Sequence, residues 1–364
     1  MLIILAGRRP LGGAETPPRF VGAPTCATAL CHGGAGELRQ QTTLWQKHDI
    51  HSRTFNTLVN ARSAQLATAL KIADPTTSPR CTSCHAPFHD LPRLAVLDVI
   101  DPKSGVACES CHGPAEKWLR PHTRPDYGHR DRVLAGLRDL QHLYVRANSC
   151  VACHQTLDRD IAAAGHPELI FELDGQAVAE PKHWREKGDW HGPKAWLVGQ
   201  AVALRELSWQ LAREKTADEP LHDRWAALLW LLQTAEAAGV TPKALAGLST
   251  ETSAANFARV QIAADKLARE VAETEWSIEI TTKLLRQFAG VHAQFREAQT
   301  RQMLHARRAE RLVLALDRLV SGAAATVARK AETHVNQLFQ QAQSLRDLDP
   351  GVFAQTVEAL ASAL

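Results

Sequence analysis

The chain has 364 residues, enough for two domains, and its 45% apolar and 22% charged composition excludes a disordered polypeptide. A formal net charge of only +3, with no Lys/Arg-rich run, argues against a nucleic-acid partner. No stretch reaches the roughly 18 apolar residues that a membrane span needs.

The first element is the apolar run Met1 to Ala6, followed by Arg8 and Arg9. It looks like the tail of a signal-peptide core without its charged leader, so the expected start lies upstream and the expected location is periplasmic or otherwise exported. Residues 1–19 are expected to be signal-like or unstructured.

Composition then divides the chain near residue 192. All 8 Cys, 13 of the 17 His and 14 of the 18 Pro lie before it. That half reads as short helices and loops. The second half reads as long helices: Trp196 to Glu214, His222 to Ala238 with Gly239 as stop, Arg301 to Leu319, and Thr326 to Arg346. Between them, Phe257, Val260, Ala264, Leu267, Val271, Ile278 and Leu285 form a 3-4 repeat, weakened at Thr274 and Thr281. Gly290 and Gly322 are candidate breaks. Asp349-Pro350 reads as an N-cap with proline at the first helical position. The expected fold class is mainly α. A cysteine- and histidine-rich domain with little regular secondary structure (20–192) should precede an α-helical bundle or long hairpin (193–364). A coiled coil between chains is the less favoured use of the short, imperfect seam. Leu229, Trp230 and Leu232 are expected in a core, although a docking or assembly module, or a homo-oligomer, would also use such residues.

The spacing of the cysteines makes the first of these domains a multihaem cytochrome domain. Cys81-Thr-Ser-Cys84-His85, Cys108-Glu-Ser-Cys111-His112 and Cys150-Val-Ala-Cys153-His154 are Cys-x-x-Cys-His motifs. In this pattern two thiols form thioethers to one haem, and the adjoining His becomes the proximal ligand of its iron. Zinc sites and redox dithiols also use Cys-x-x-Cys, but neither explains the His. Three such placements by chance have odds on the order of one in ten thousand. Cys26-Ala-Thr-Ala-Leu-Cys31-His32 accounts for the remaining two Cys with a longer spacer. Its rival is a disulfide beside a stray His. Four haem c groups follow, with His32, His85, His112 and His154 as proximal ligands.

Methionine is a poor candidate for the far side of the iron, since only Met1 and Met303 occur. Ligation by two histidines, or by one with an open position, is expected, and with it low potentials. The candidates are His48, His51, His89, His122, His129, His142, His166, His183 and His191.

Trp45 with His51-Ser-Arg-Thr-Phe-Asn-Thr-Leu58, Gly105-Val-Ala-Cys108-Glu-Ser-Cys111-His112-Gly113-Pro114, and His122 ten residues beyond His112 carry a resemblance. Residues 20 to about 166 are similar to the cytochrome c-554 family of tetrahaem cytochromes. The resemblance implies closely packed haems, His51 and His122 as distal ligands, and a late distal histidine for which His166 is put forward. His183 and His191 compete for the fourth role, and His183 is preferred. The resemblance also implies that the haem at Cys81, Cys84 and His85 can lack a distal ligand. The implied function is electron transfer between donor and acceptor proteins, such as other cytochromes or a quinol-linked membrane complex. An oxidoreductase of a nitrogen oxide or hydroxylamine, acting at an open iron, is the alternative.

Overall fold

The computed structural model describes residues 16–364 apart from 37, 38, 99, 187, 215 and 217. Residues 1–15, with most of the signal-like segment, lie outside the described residues. Mainly α architecture is observed. Among the described residues no strand forms, and a lone bridge joins Phe20 to Val96.

Three helices of the first half end on a motif histidine: α1 (Pro79–His85), α2 (Cys108–His112) and α3 (Leu143–His154). A helical turn makes residues three and four apart neighbours, so both thiols and the histidine share one face. The first motif has a longer spacer and cannot do this. Its helix stops at Cys26, the chain loops through Cys31 N–H to Thr28 O at 2.9 Å, and His32 N–H returns to Cys26 O at 3.1 Å. Little apolar burial supports this half. Its one small core holds Phe55, Leu58 and Ala86.

Beyond a short helix at Arg159–Ala163, α4 (Leu173–Ala179) leads into seven long ones: α5 (Gly192–Leu211), α6 (Glu219–Ala237), α7 (Ala254–Glu273), α8 (Ile278–Ala289), α9 (Gln302–Ser321), α10 (Ala325–Gln341) and α11 (Pro350–Ala363). Local chemistry starts them. Asp218, Ser253, Ser277 and Asp349 each accept a first-turn N–H, at about 1 kcal/mol per cap. Gly290 and Gly322 stand at the C-caps of α8 and α9. The single seam expected from Phe257 to Leu285 is two helices. Thr274 caps the end of α7, and Ser277 opens α8 after Trp276 folds back to donate to Thr281 Oγ1 at 2.9 Å.

Helix α5 is apolar nearly all round and is therefore central, packing on α3, α4, α6, α7 and α9. One core runs through the bundle, built around Trp196, Trp225, Phe288, Phe295 and Phe353. Leu229, Trp230 and Leu232 are buried in it. The core also takes in Ala147 and Val151 of α3, with Phe171 and Leu173. The last haem motif is thus packed directly on the helical half. Among the described residues no helix is long and apolar enough to cross a membrane.

Candidate haem-binding centres

Each motif histidine faces one histidine from elsewhere in the chain. The ring centroids are 6.1 Å apart for His32 and His122, 6.0 Å for His154 and His51, 6.4 Å for His85 and His166, and 6.4 Å for His112 and His183. Metal–imidazole bonds of about 2 Å put the centroids of two rings on one metal about 6.3 Å apart. The four separations fit one ion between each pair.

The second nitrogen of each ring decides which atom is free. His51 donates its Nδ1–H to Asp49 Oδ1 at 2.9 Å, His32 to Gln41 Oε1 at 3.0 Å, His166 to Pro167 O at 2.8 Å and His183 to Pro181 O at 3.1 Å. His122 Nδ1 lies against Leu119 O. Thr57 spends its only hydroxyl proton on Thr54 O, so its oxygen accepts from His85 Nδ1 at 2.9 Å. Gln176 places its amide nitrogen 3.3 Å from His154 Nδ1 while its buried Oε1 has no partner. Turned over, that amide accepts the Nδ1–H through its oxygen. Seven of the eight rings therefore have Nδ1 engaged and Nε2 free to ligate.

Charge agrees with this role, because a metal needs the neutral ring. Burial, with His183 and His32 nearby, pushes His112 down to about 4. Burial and the facing partner also lower His85 and His154. His51 is raised by its hydrogen bond to Asp49, the carboxylate–histidine arrangement common behind metal ligands. Asp49, His51 and Glu180 bring candidate ligand atoms within 4.8 Å of one another. Asp49 occupies the Nδ1 side of His51 there, leaving Nε2 for the side facing His154.

The thiols order the sites in space. Cys26 lies beside Cys108, Cys111 near Cys150, and Cys84 beside Cys153. The motifs therefore run first, third, fourth, second, an order that chain position does not suggest. The segment from His51 to Thr57 links three of them. Val106 N–H donates to His51 O at 3.0 Å, and the Thr54 hydroxyl reaches His85 O at 3.0 Å. A side chain at Gly105, whose φ is +67°, would strike His51 O, so glycine permits this close approach. Trp45 Nε1–H donates to Val106 O at 3.0 Å. Within the third motif, buried Glu109 accepts from Val21, Gly22 and Ala115 N–H and ties both flanking strands of chain to α2.

The structure brings together all eight Cys and the candidate distal residues His51, His122, His166 and His183. It places His166 opposite His85, where the family resemblance implied that a distal ligand can be missing. His89, His129 and His142 pair instead with Asp90, Asp139 and Glu273, and His191 stands at the N-cap of α5. Gln41, Thr57 and Gln176 were missed by sequence reasoning, since nothing local marks them. Asp49 had a signal: an acidic residue two before His51 that also accepts its backbone N–H at 2.9 Å.

Residues 25–113 match the family model of cytochrome c554 and c-prime. No curated protein and no solved structure matches the chain. The matched segment holds the first three motifs and is similar to that family over about a quarter of the chain.

Proposed function

We propose that the protein carries four haem c groups, each held between two histidines, and transfers electrons between partner proteins of the periplasm or another exported compartment. The observation that carries this reading is the set of four histidine pairs, each joining a motif residue to a residue outside the motifs. When bound, haem supplies one-electron chemistry at low potential. The chain's own residues do the rest. Cys26 and Cys31, Cys81 and Cys84, Cys108 and Cys111, and Cys150 and Cys153 anchor. His32, His85, His112 and His154 ligate from one side, and His122, His166, His183 and His51 from the other. Asp49, Gln41, Thr57 and Gln176 fix ring tautomers and orientation. The close succession of thiols supports a continuous route from the first motif to the second. Donor and acceptor proteins, such as other cytochromes or a quinol-linked membrane complex, would dock at its ends.

An enzyme acting on a nitrogen oxide needs an iron with an open position. The histidine facing each motif favours the carrier. Protein expressed with a cytochrome maturation system should show an intact mass of polypeptide plus four haems. It should also be wholly low-spin when oxidised and inert to carbon monoxide when reduced. Three haems, or one high-spin iron, would count against the reading.

A further inference from the structure

The segment 166–186 is a belt between the motifs and the bundle. It carries His166 and His183, and α4 within it presents Gln176 to His154 and Glu180 to His51, whose Nδ1 is 3.9 Å from Glu180 Oε1. Residues 167–172 have no regular structure.

Its fastenings are on the bundle. Glu168, immediately after His166-Pro167, is gripped by Arg224 of α6 at 2.9 Å and Arg307 of α9 at 2.8 Å. The arginine side chains are only 12% and 10% exposed, and Arg224 Nη2–H also donates to Leu169 O at 2.6 Å. Arg311, fully buried, adds a third cation to the same neighbourhood. Glu168 thus faces two guanidiniums in direct contact and a third close by, a net pull on its carboxylate. Three residues beyond Glu168, Phe171 is buried in the bundle core and its carbonyl accepts from Gln200 Nε2 at 3.0 Å. Arg318 of α9 lies 3.6 Å from Glu172 and 3.4 Å from Asp174. The fit on α5 is tight, since a side chain at Gly199 would overlap Leu173.

We propose that the helical bundle is a ligand-positioning scaffold, in which Glu168, Arg224 and Arg307 hold His166 opposite His85 and so keep the sixth position at that site closed. Glu168, Arg224 and Arg307 are positioning residues: they touch neither the ligating rings nor the thiols. The charge grip fixes the loop two residues beyond the ligand, and Phe171 sets its register against the core. The inference rests on the reading of four bis-histidine sites.

The test uses the full-length haem-loaded protein and compares the wild type with Glu168→Arg, Glu168→Gln and His166→Ala. The readouts are haem count by mass, spin state by electron paramagnetic resonance, and carbon monoxide binding after reduction. Glu168→Arg sets a fourth cation among the guanidiniums. It is expected to turn one iron of four high-spin and to bind one equivalent of carbon monoxide, with four haems retained. Added imidazole should return that iron to low spin. Glu168→Gln keeps the side chain's shape and is expected to open the same site in part; it decides the matter should the arginine variant fail to fold. His166→Ala should reproduce the Glu168→Arg signature. A low-spin wild type, with His166→Ala opening one iron and the Glu168 variants opening none, overturns the inference and leaves the four-site reading standing. A high-spin iron in the wild type, or no change in His166→Ala, defeats the four-site reading itself.

Discussion

The two regions of the molecule are held together by different means. From α3 onward one continuous core draws apolar side chains from α3, α4 and each helix of the bundle, with tryptophans and phenylalanines in edge-on contact, such as Trp225 and Phe257 at 5.0 Å. At about 1.5–3 kcal/mol per fully buried large side chain, such a core offsets the ordering of its helices without help. The preceding residues, 16–142, bury Val21, Phe55, Leu58 and Phe88 and few other large apolar groups. What they have in quantity is histidine and cysteine turned toward one another. The contrast teaches that one region is folded around itself and the other around groups that its residues bind.

The largest expected effect follows directly. Protein made without haem attachment should lose protection across residues 16–142 while the bundle keeps its helix content and cooperative melting. Limited proteolysis should leave a fragment beginning close to α3. A haem-free chain as resistant before Leu143 as after it would remove the contrast. Next in size, Trp225→Ala should cost about 3–5 kcal/mol with or without haem, because the side chain is fully buried and its Nε1–H donates to Ser208 Oγ at 2.9 Å. Denaturant titration of both forms would check it.

Within the core region, the contact of α3 with the bundle offers a smaller handle. Asp265 of α7 accepts from Tyr144 Oη of α3 at 2.6 Å and from Arg205 Nη1 of α5 at 2.8 Å. Asp265→Asn should cost about 1–3 kcal/mol. Burial pushes the Asp265 carboxyl up, but Tyr144, Arg269 and Arg205 together bring it below the ordinary aspartate range. A depressed folded value means that its contribution is fully present above the unfolded pKa, about 3.9, and is lost as pH falls through the lower folded value. The stability difference between wild type and Asp265→Asn should therefore be flat from neutral pH down to about 4 and shrink below it. A difference that persists unchanged in stronger acid would show that the carboxylate is not the clamp.

How much of this was legible beforehand depends on whether the cause was local. The motif cysteines and their histidines could be read because Cys-x-x-Cys-His is a statement about one helical turn. The cap at Asp349 could be read for the same reason. The pairing of ligands could not. His122 follows His112 by ten residues yet faces His32, and His51 follows His32 yet faces His154. Those partners are chosen by how the chain recrosses itself at Thr54 and Gly105, which leaves no periodic trace. The helices of the bundle were visible through their apolar spacing. The division at Thr274 was faint, because the repeat continues in phase across the gap. Residues 166–186 were the least legible: their anchors, Arg224, Arg307 and Arg318, lie on helices far along the chain and look in sequence like ordinary solvated charges.

The smallest expected effect sharpens the comparison on the side of the haem-binding region. There a single hydroxyl does what a whole helix face does in the bundle. Thr57→Val removes the acceptor of the His85 Nδ1–H while keeping the side chain's volume. Without that hydrogen bond the ring is a poorer donor of charge to its iron, and the oxidised state is less stabilised. A loss of about 1 kcal/mol corresponds, for one electron, to about 40 mV. One midpoint of the four should rise by that amount while Thr57→Ser leaves it in place, and a potentiometric titration followed in the visible bands would resolve the two. A Thr57→Val protein with all four midpoints unmoved would mean that orientation of the ring at this site comes from the backbone of α1 alone.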